Sequence, residues 1–305
     1  MIERSPKEVS ELSTRRTDSV TNPQDTSNSA AAWKTVITRT NSADGVDFAY
    51  RELGPDIGTP VVFLPHLAAV LDNWDPRVVD GIAARRRVIT FDNRGIGAST
   101  GTTPTTIEAM ADDAVTFIRA LGLNEVDLFG FSLGGMIAQV MAQKYPRLVR
   151  KVILAGTGPA GGEGIDKVTR ITYLDMVRGA LTRQDPKQFL FFTRTARGRQ
   201  AGKAFLQRLG ERTANRDAAI SVRSFRAQLK AIHRWAKHQP SDLTAIRQPV
   251  LAINGDSDRM VPSQNTVDLD RRLPNSELVL YPDAGHGGVF QFHEDFVDRA
   301  LQFLG

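Results

Sequence analysis

A predominantly parallel α/β sheet, with helices on both faces and one helical insertion, is the fold class this sequence predicts. Three observations predict it. Short, nearly continuous apolar runs recur along the chain, helical periods fall between several of them, and the stretch 160–240 abandons the alternation for helix alone. Parallel strands covered on both faces read as such runs, and right-handed crossovers place the intervening helices on the two sides of the sheet.

In chain order, residues 1–32 are rich in Ser, Thr, Asn, Glu and Arg and hold no aromatic residue, so a flexible tail is expected there. Glu3, Glu8, Glu11 and Asp18 interrupt it, which argues against a secretory or transit signal and makes the cytoplasm the expected location. Runs at 34–40 and 46–53 flank Asn41-Ser42-Ala43-Asp44-Gly45 as an antiparallel hairpin would. Parallel strands are expected at 61–64, 88–91, 126–129, 152–155, 250–253 and 278–280. The clearest helix is 107–121, with Thr105 and Glu108 at capping-box spacing and Met110, Ala114, Phe117, Ile118 and Leu121 on one face. Within the insertion, helices are expected at 167–182, 186–194, 200–213 and 221–238. The division is thus a tail (1–32), a core domain (33–159 and 241–305) and a helical cap (160–240).

Composition excludes several function classes. The chain has 305 residues, 41% of them hydrophobic and 24% charged, which is a globular balance. It has no Cys, which removes disulfides, thiolate zinc sites and cysteine nucleophiles. No apolar run approaches the roughly 20 residues that span a bilayer, so no membrane partner is expected. Lys and Arg total 39 against 34 Asp and Glu, a surplus too small to suggest nucleic acid. That surplus sits in 160–240, where 17 basic residues face 6 acidic ones. Arginines on a cap face would suit an anionic substrate, although solvated helix faces are their ordinary place.

The chemistry is concentrated in Gly130-Phe131-Ser132-Leu133-Gly134, a G-x-S-x-G between a strand and a helix. A nucleophile on so tight a turn needs small residues two positions to either side, and the following helix aims its N-terminal amides at the site. A serine hydroxyl also needs a base, and the base a carboxylate to orient it. Both can be drawn from loops at the carboxyl edge of the sheet: Asn254-Gly255-Asp256-Ser257-Asp258-Arg259-Met260-Val261-Pro262 and Tyr281-Pro282-Asp283-Ala284-Gly285-His286-Gly287-Gly288.

Over essentially all of 33–305 the sequence resembles the α/β-hydrolase fold superfamily, in its esterase, lactonase and non-haem haloperoxidase-like branch. Besides the serine turn, Asp92-Asn93-Arg94-Gly95-Ile96-Gly97-Ala98-Ser99 is similar to the family's D-x-R-G-x-G-x-S turn, and the order Ser, acid, His is the family's. The resemblance implies Ser132 as nucleophile, His286 as general base and then acid, and Asp258 as orienting acid. Asp256 is the competing carboxylate, read as a turn-former. Where relatives carry His-Gly this chain has Pro65-His66, and alignment on Trp74 makes Leu67 one backbone donor to the oxyanion hole, with Leu133 the other. His66 could line the pocket, hydrogen-bond behind it or simply pack. Trp74 and Phe131 are further pocket candidates, although core packing is the more ordinary job for an aromatic residue such as Trp74.

Asp92, Arg94 and Ser99 read as structural ties, His293 as a surface or capping residue, and His233 and His238 as solvated. Neither H-E-x-x-H, an EF-hand loop, a P-loop nor a G-x-G-x-x-G fingerprint is present, so neither metal nor cofactor is expected. The function expected is a serine hydrolase of carboxylic esters or lactones, with a small-molecule substrate and an oligomeric state left open, a homodimer included. Rivals within the fold are a carbon–carbon bond hydrolase or cofactor-independent dioxygenase acting on an anionic substrate, and a ligand receptor without turnover.

Overall fold

Strands that are apolar on both faces must be covered on both, and their alternation of side chains decides which residue meets which layer. The computed structural model describes residues 32–305, so the expected tail, apart from Ala32, lies outside the described residues. Eight strands form one sheet among them: β1 (Arg39–Ala43), β2 (Val46–Leu53), β3 (Val61–Leu64), β4 (Val88–Phe91), β5 (Val126–Phe131), β6 (Val149–Ala155), β7 (Val250–Gly255) and β8 (Ser276–Tyr281). Their order is β1-β2-β4-β3-β5-β6-β7-β8, with β2 antiparallel to both of its neighbours, β1 and β4, and every other pair parallel.

Period two is visible in the core. Val62 and Leu64 of β3 join Leu128 of β5 in one apolar cluster, while Val61 and Phe63 join Phe129 and Phe131 in the other. The first cluster is covered by α2 (Ile107–Ala120) and α3 (Leu133–Lys144). The second is covered by α1 (Pro76–Ala83) and by α10 (His293–Leu304), the last helix. Between β6 and β7 lie α4 (Val168–Thr182), α5 (Lys187–Phe191), α6 (Ala196–Leu209) and α7 (Val222–Lys237). The remaining helices are α8 (Gln264–Arg272), before β8, and the short α9 (Gly288–Gln291).

Local corrections have physical causes. The hairpin turns at Asp44 and Gly45 alone, both with positive φ (47° and 72°), so 41–43 are strand rather than loop. Its first strand starts at Arg39 because 33–36 are held off the sheet: Trp33 N–H donates to Asp80 at 2.7 Å, and Arg212 donates to the Trp33 and Val36 carbonyls. Thr106, not Thr105, caps α2 through the Ala109 amide. The Thr105 hydroxyl instead accepts from Arg234 on α7 at 2.8 Å. The helix expected at 200–213 begins four residues earlier, behind the N-cap Thr195. No helix among the described residues is long and apolar enough to cross a membrane.

Candidate active site

Between the last residue of β5 and the first of α3 the chain has one residue in which to turn. Ser132 does so at φ 56°, ψ −114°, a conformation costly to any residue with a Cβ. Its amide is pinned to the Ala155 carbonyl at 2.8 Å. The flanking glycines are obligatory: a Cβ on Gly130 would stand 2.5 Å from the Gly134 carbonyl oxygen, and one on Gly134 only 1.8 Å from that of Leu64. Ser132 is thereby presented at the carboxyl end of the sheet, with Leu133 the first residue of α3.

The loop after β7 separates its two carboxylates by burial. Asp256 is exposed, and its carboxylate accepts from the Ser257 hydroxyl. Asp258 is buried; Oδ1 accepts from the Met260 and Val261 amides at 2.7 and 3.1 Å, leaving Oδ2 for His286 Nδ1 at 2.7 Å. The loop carrying His286 folds back tightly on β7, where a Cβ at Gly255 would lie 2.1 Å from the Ala284 carbonyl oxygen. A carboxylate can only accept, so His286 donates through Nδ1 and keeps Nε2 for the cavity. Ser132 and His286 line the same cavity and have no hydrogen bond to each other, a contact that substrate-free sites often leave long.

The loop 65–74 forms the other side. His66 is buried, with Nδ1 2.8 Å from the Leu67 carbonyl oxygen and Nε2 without a partner among the described residues. Burial, reinforced by the nearby charges of Lys187 and His286 and opposed by the Leu67 carbonyl, holds its pKa down at about 3. Ala68 has φ 63°, and its amide donates to Gln228 Oε1 of α7 at 2.8 Å. Further along, the Leu71 amide donates to Asp92 at 2.9 Å, and Ser99 joins the Asp92 carbonyl to the Ala49 amide. Asp92 and Ser99 are thus ties, as expected, and Arg94 pairs with Asp113 at 2.7 Å. Asp72 and Asp217 each accept the other's amide, and Arg51, with no exposed side-chain surface, bridges both carboxylates.

The cavity measures about 340 Å³ and its wall is mostly apolar, with Met136, Val168, Leu190, Phe191, Phe225 and Met260 among its residues. Leu67 lines it, but Trp74 does not: Trp74 is buried against Phe63 and Phe129, with ring centroids 5.0 and 5.4 Å apart. Phe131 sits behind the wall, its ring 5.4 Å from that of His66 and 5.0 Å from that of His286. None of the insertion's arginines lines the cavity, so the Arg-lined face that would suit an anionic substrate is not found. Several are spent on the core instead, Arg208 on Asp75 at 2.6 Å and Arg216 on Asp72 at 3.4 Å. The charged residues in the wall are Lys187 and Asp185, themselves 3.6 Å apart. His233 and His238 are exposed, whereas His293 is half-buried and follows the N-cap Phe292 rather than capping α10.

Gln228, Arg51 and Asp217 escape the sequence reading. Nothing local marks them, since their partners lie 160, 166 and 145 positions away.

The sequence profile of the alpha/beta hydrolase fold matches residues 59–292. Among solved structures, an alpha/beta hydrolase fold protein from Chitinophaga pinensis is 39% identical, superposes with a TM-score of 0.86, and is matched over 90% of this chain and 99% of that one. A protein of Agrobacterium fabrum named "Putative carbamate hydrolase RutD" is 30% identical over 81% of this chain and 89% of its own length. One of Synechocystis named "Putative non-heme chloroperoxidase" is 29% identical over 86% and 95%.

Proposed function

Because the chain belongs to the alpha/beta hydrolase fold family, we propose that it is a serine hydrolase that cleaves a carboxylic ester or lactone through an acyl-enzyme. The observation that carries this reading is the placement of a strained Ser132 and of His286, braced by Asp258, on one apolar cavity. Ser132 Oγ attacks the carbonyl carbon while its proton passes to His286 Nε2, and Asp258 steadies the imidazolium through Nδ1. The tetrahedral oxyanion is held by the Leu67 and Leu133 amides, main-chain donors whose strength is independent of the side chains they carry. On collapse His286 returns the proton to the departing alkoxide, which in a lactone stays tethered to the acyl group. It then takes a proton from the water that attacks the ester carbonyl, and Ser132 leaves with it.

The cavity also speaks about the substrate. An apolar wall whose Lys187 and Asp185 offset each other suits a neutral molecule, which weakens the case for the anionic substrates of the carbon–carbon hydrolase and dioxygenase reading. Segment 160–240, which supplies much of the wall, acts in this reading as a cap.

The test is a panel of phenyl esters of increasing chain length, small and acyl-homoserine lactones and an aryl carbamate, run with the wild type and Ser132→Ala. Turnover of an ester or lactone, lost by about 10⁴-fold or more in kcat in the variant, is the expected result. Turnover that survives Ser132→Ala, or none with any compound, would contradict it. Oxygen consumption that survives the substitution would point to the oxygenase.

A further inference from the structure

A helix packed on one side buries an apolar stripe and shows water a polar one, and α4 departs from that rule. Val168, Thr172, Asp175 and Gly179 form its buried stripe, at the spacing of a single helix face. The opposite face carries Tyr173, Leu174, Val177 and Leu181, all exposed, Leu181 by 81% and Leu174 and Val177 by 58% each. Val222, the first residue of α7, is also exposed, and Phe225 one turn later meets Tyr173 with ring centroids 6.0 Å apart, so the two helices share one apolar ridge. With Met176, six of the ten large apolar side chains exposed among the described residues stand here, a concentration that scattered surface exposure does not produce.

Cations flank the ridge. On α7 the solvent side continues from Val222 through Arg223, Arg226 and Lys230, all exposed. On the other flank Arg178 of α4, Arg194, Arg199 and Lys203 line one surface cavity with no carboxylate in its wall. The one acid of α4, Asp175, lies on the buried stripe and is paired with Arg259. This charge decides what fits. A second copy packed about a two-fold axis would set the face against itself and bring like charges together. A substrate in the cavity leaves it bare, because Leu174, Val177 and Leu181 lie outside the cavity wall. A layer of anionic headgroups over apolar chains matches both features, and a helix lies on such a layer without being long enough to span it.

We propose that α4 and the N-terminal half of α7 dock on the surface of an anionic lipid layer, with Leu174, Val177 and Leu181 entering its apolar boundary and Arg223, Arg226 and Lys230 among its headgroups. Met176 and Val222 belong both to the ridge and to the wall of the cavity that holds Ser132. Docking therefore sets the rim of that cavity against the lipid, and an apolar substrate passes inward without crossing bulk water. Docking needs no turnover, so it stands or falls separately from the acyl-hydrolase reading.

The full chain is sedimented with vesicles of phosphatidylcholine alone and of an equal mixture of phosphatidylcholine and phosphatidylglycerol, at low and at high salt. The wild type is expected to bind the anionic vesicles about 10-fold or more tightly than the neutral ones, and to lose that advantage as salt rises. Replacing Leu174, Val177 and Leu181 together by Ser should weaken binding to anionic vesicles by about 10-fold or more. Replacing Arg223, Arg226 and Lys230 together by Gln should weaken it by about 100-fold, roughly 5-fold for each cation. Both variants change exposed side chains only, and thermal unfolding midpoints close to that of the wild type check that the fold is kept. A wild type that binds neither vesicle overturns the assignment, as does equal binding by the wild type and the serine variant, which would mark electrostatic attraction without docking of the ridge. Sedimentation equilibrium gives the last outcome: a wild-type dimer that the serine variant turns into a monomer would show that a second copy covers the ridge, and would likewise overturn it.

Discussion

On one side of the cavity, Ser132 and the His286–Asp258 pair stand on turns pressed against the backbone of neighbouring strands and loops; on the other, the loop holding Leu67 and Ala68 is braced by the side chain of a glutamine 160 positions away. The first side is rigid for steric reasons, since Gly130, Gly134 and Gly255 sit where any Cβ would meet a backbone carbonyl. The second is held by side-chain bonds, from Gln228, from Asp92 and from the Arg51–Asp72–Asp217 cluster. The difference teaches that reacting groups and substrate-facing groups can be tuned separately: α7 can change without touching the serine turn, but not without disturbing the amide beside the proposed oxyanion donor.

The sharpest way to break the comparison is to replace the two neighbouring carboxylates. Asp258→Asn leaves His286 without the acceptor that orients it and should lower kcat by about 10³-fold or more, whereas Asp256→Asn should stay within about 2-fold. Steady-state kinetics of both variants checks this; similar losses would remove the distinction drawn from burial.

Gly134→Ala probes the steric claim. With the new methyl 1.8 Å from a carbonyl oxygen that cannot move alone, a loss of about 3 kcal/mol or more in urea unfolding is expected. An Ala accepted at small cost would show that the turn is softer than its contacts imply.

His66 supplies the next effect, through pH. Its folded pKa of about 3 lies below its ordinary 6.5, so between these values the unfolded chain holds the extra proton. The stability due to neutral His66 is therefore complete above about pH 6.5 and is lost as pH falls toward 3, with a slope approaching about 1.4 kcal/mol per pH unit. Urea midpoints at pH 7, 6 and 5 should fall more steeply for the wild type than for His66→Phe. Parallel curves would contradict the burial argument.

The smallest effect is expected from Gln228→Ala. Freed from its acceptor, the Ala68 amide lets the loop shift, and kcat should fall by about 10-fold with little change in KM. A change confined to KM would mean that Gln228 shapes the wall rather than the proposed oxyanion donor.

The same contrast explains what could be read from the residues alone. The strand positions and the tight turn at Ser132 are legible, because each rests on local spacing or on short apolar runs, whereas the order of the strands is not, and the preference for Asp258 over Asp256 comes from the family resemblance. Trp74 can be read from the sequence as a pocket residue or as core, with packing the ordinary outcome, and here Phe63 and Phe129 hold it inward. The basic charge of 160–240 leaves its use open for a related reason: composition counts Arg208, Arg212 and Arg216 without saying that Asp75 and Asp72 pair with them. His66 could be singled out by its position, but its orphaned nitrogen appears only once Leu67, Phe131 and Phe191 are packed around it.

The central claim is that Ser132 forms a covalent acyl-enzyme, and labelling tests it most directly. Intact protein treated with a fluorophosphonate, digested and analysed by mass spectrometry should carry one adduct, on Ser132, formed much more slowly in Asp258→Asn than in the wild type. No adduct at Ser132, or labelling unaffected by Asp258→Asn, would contradict the account.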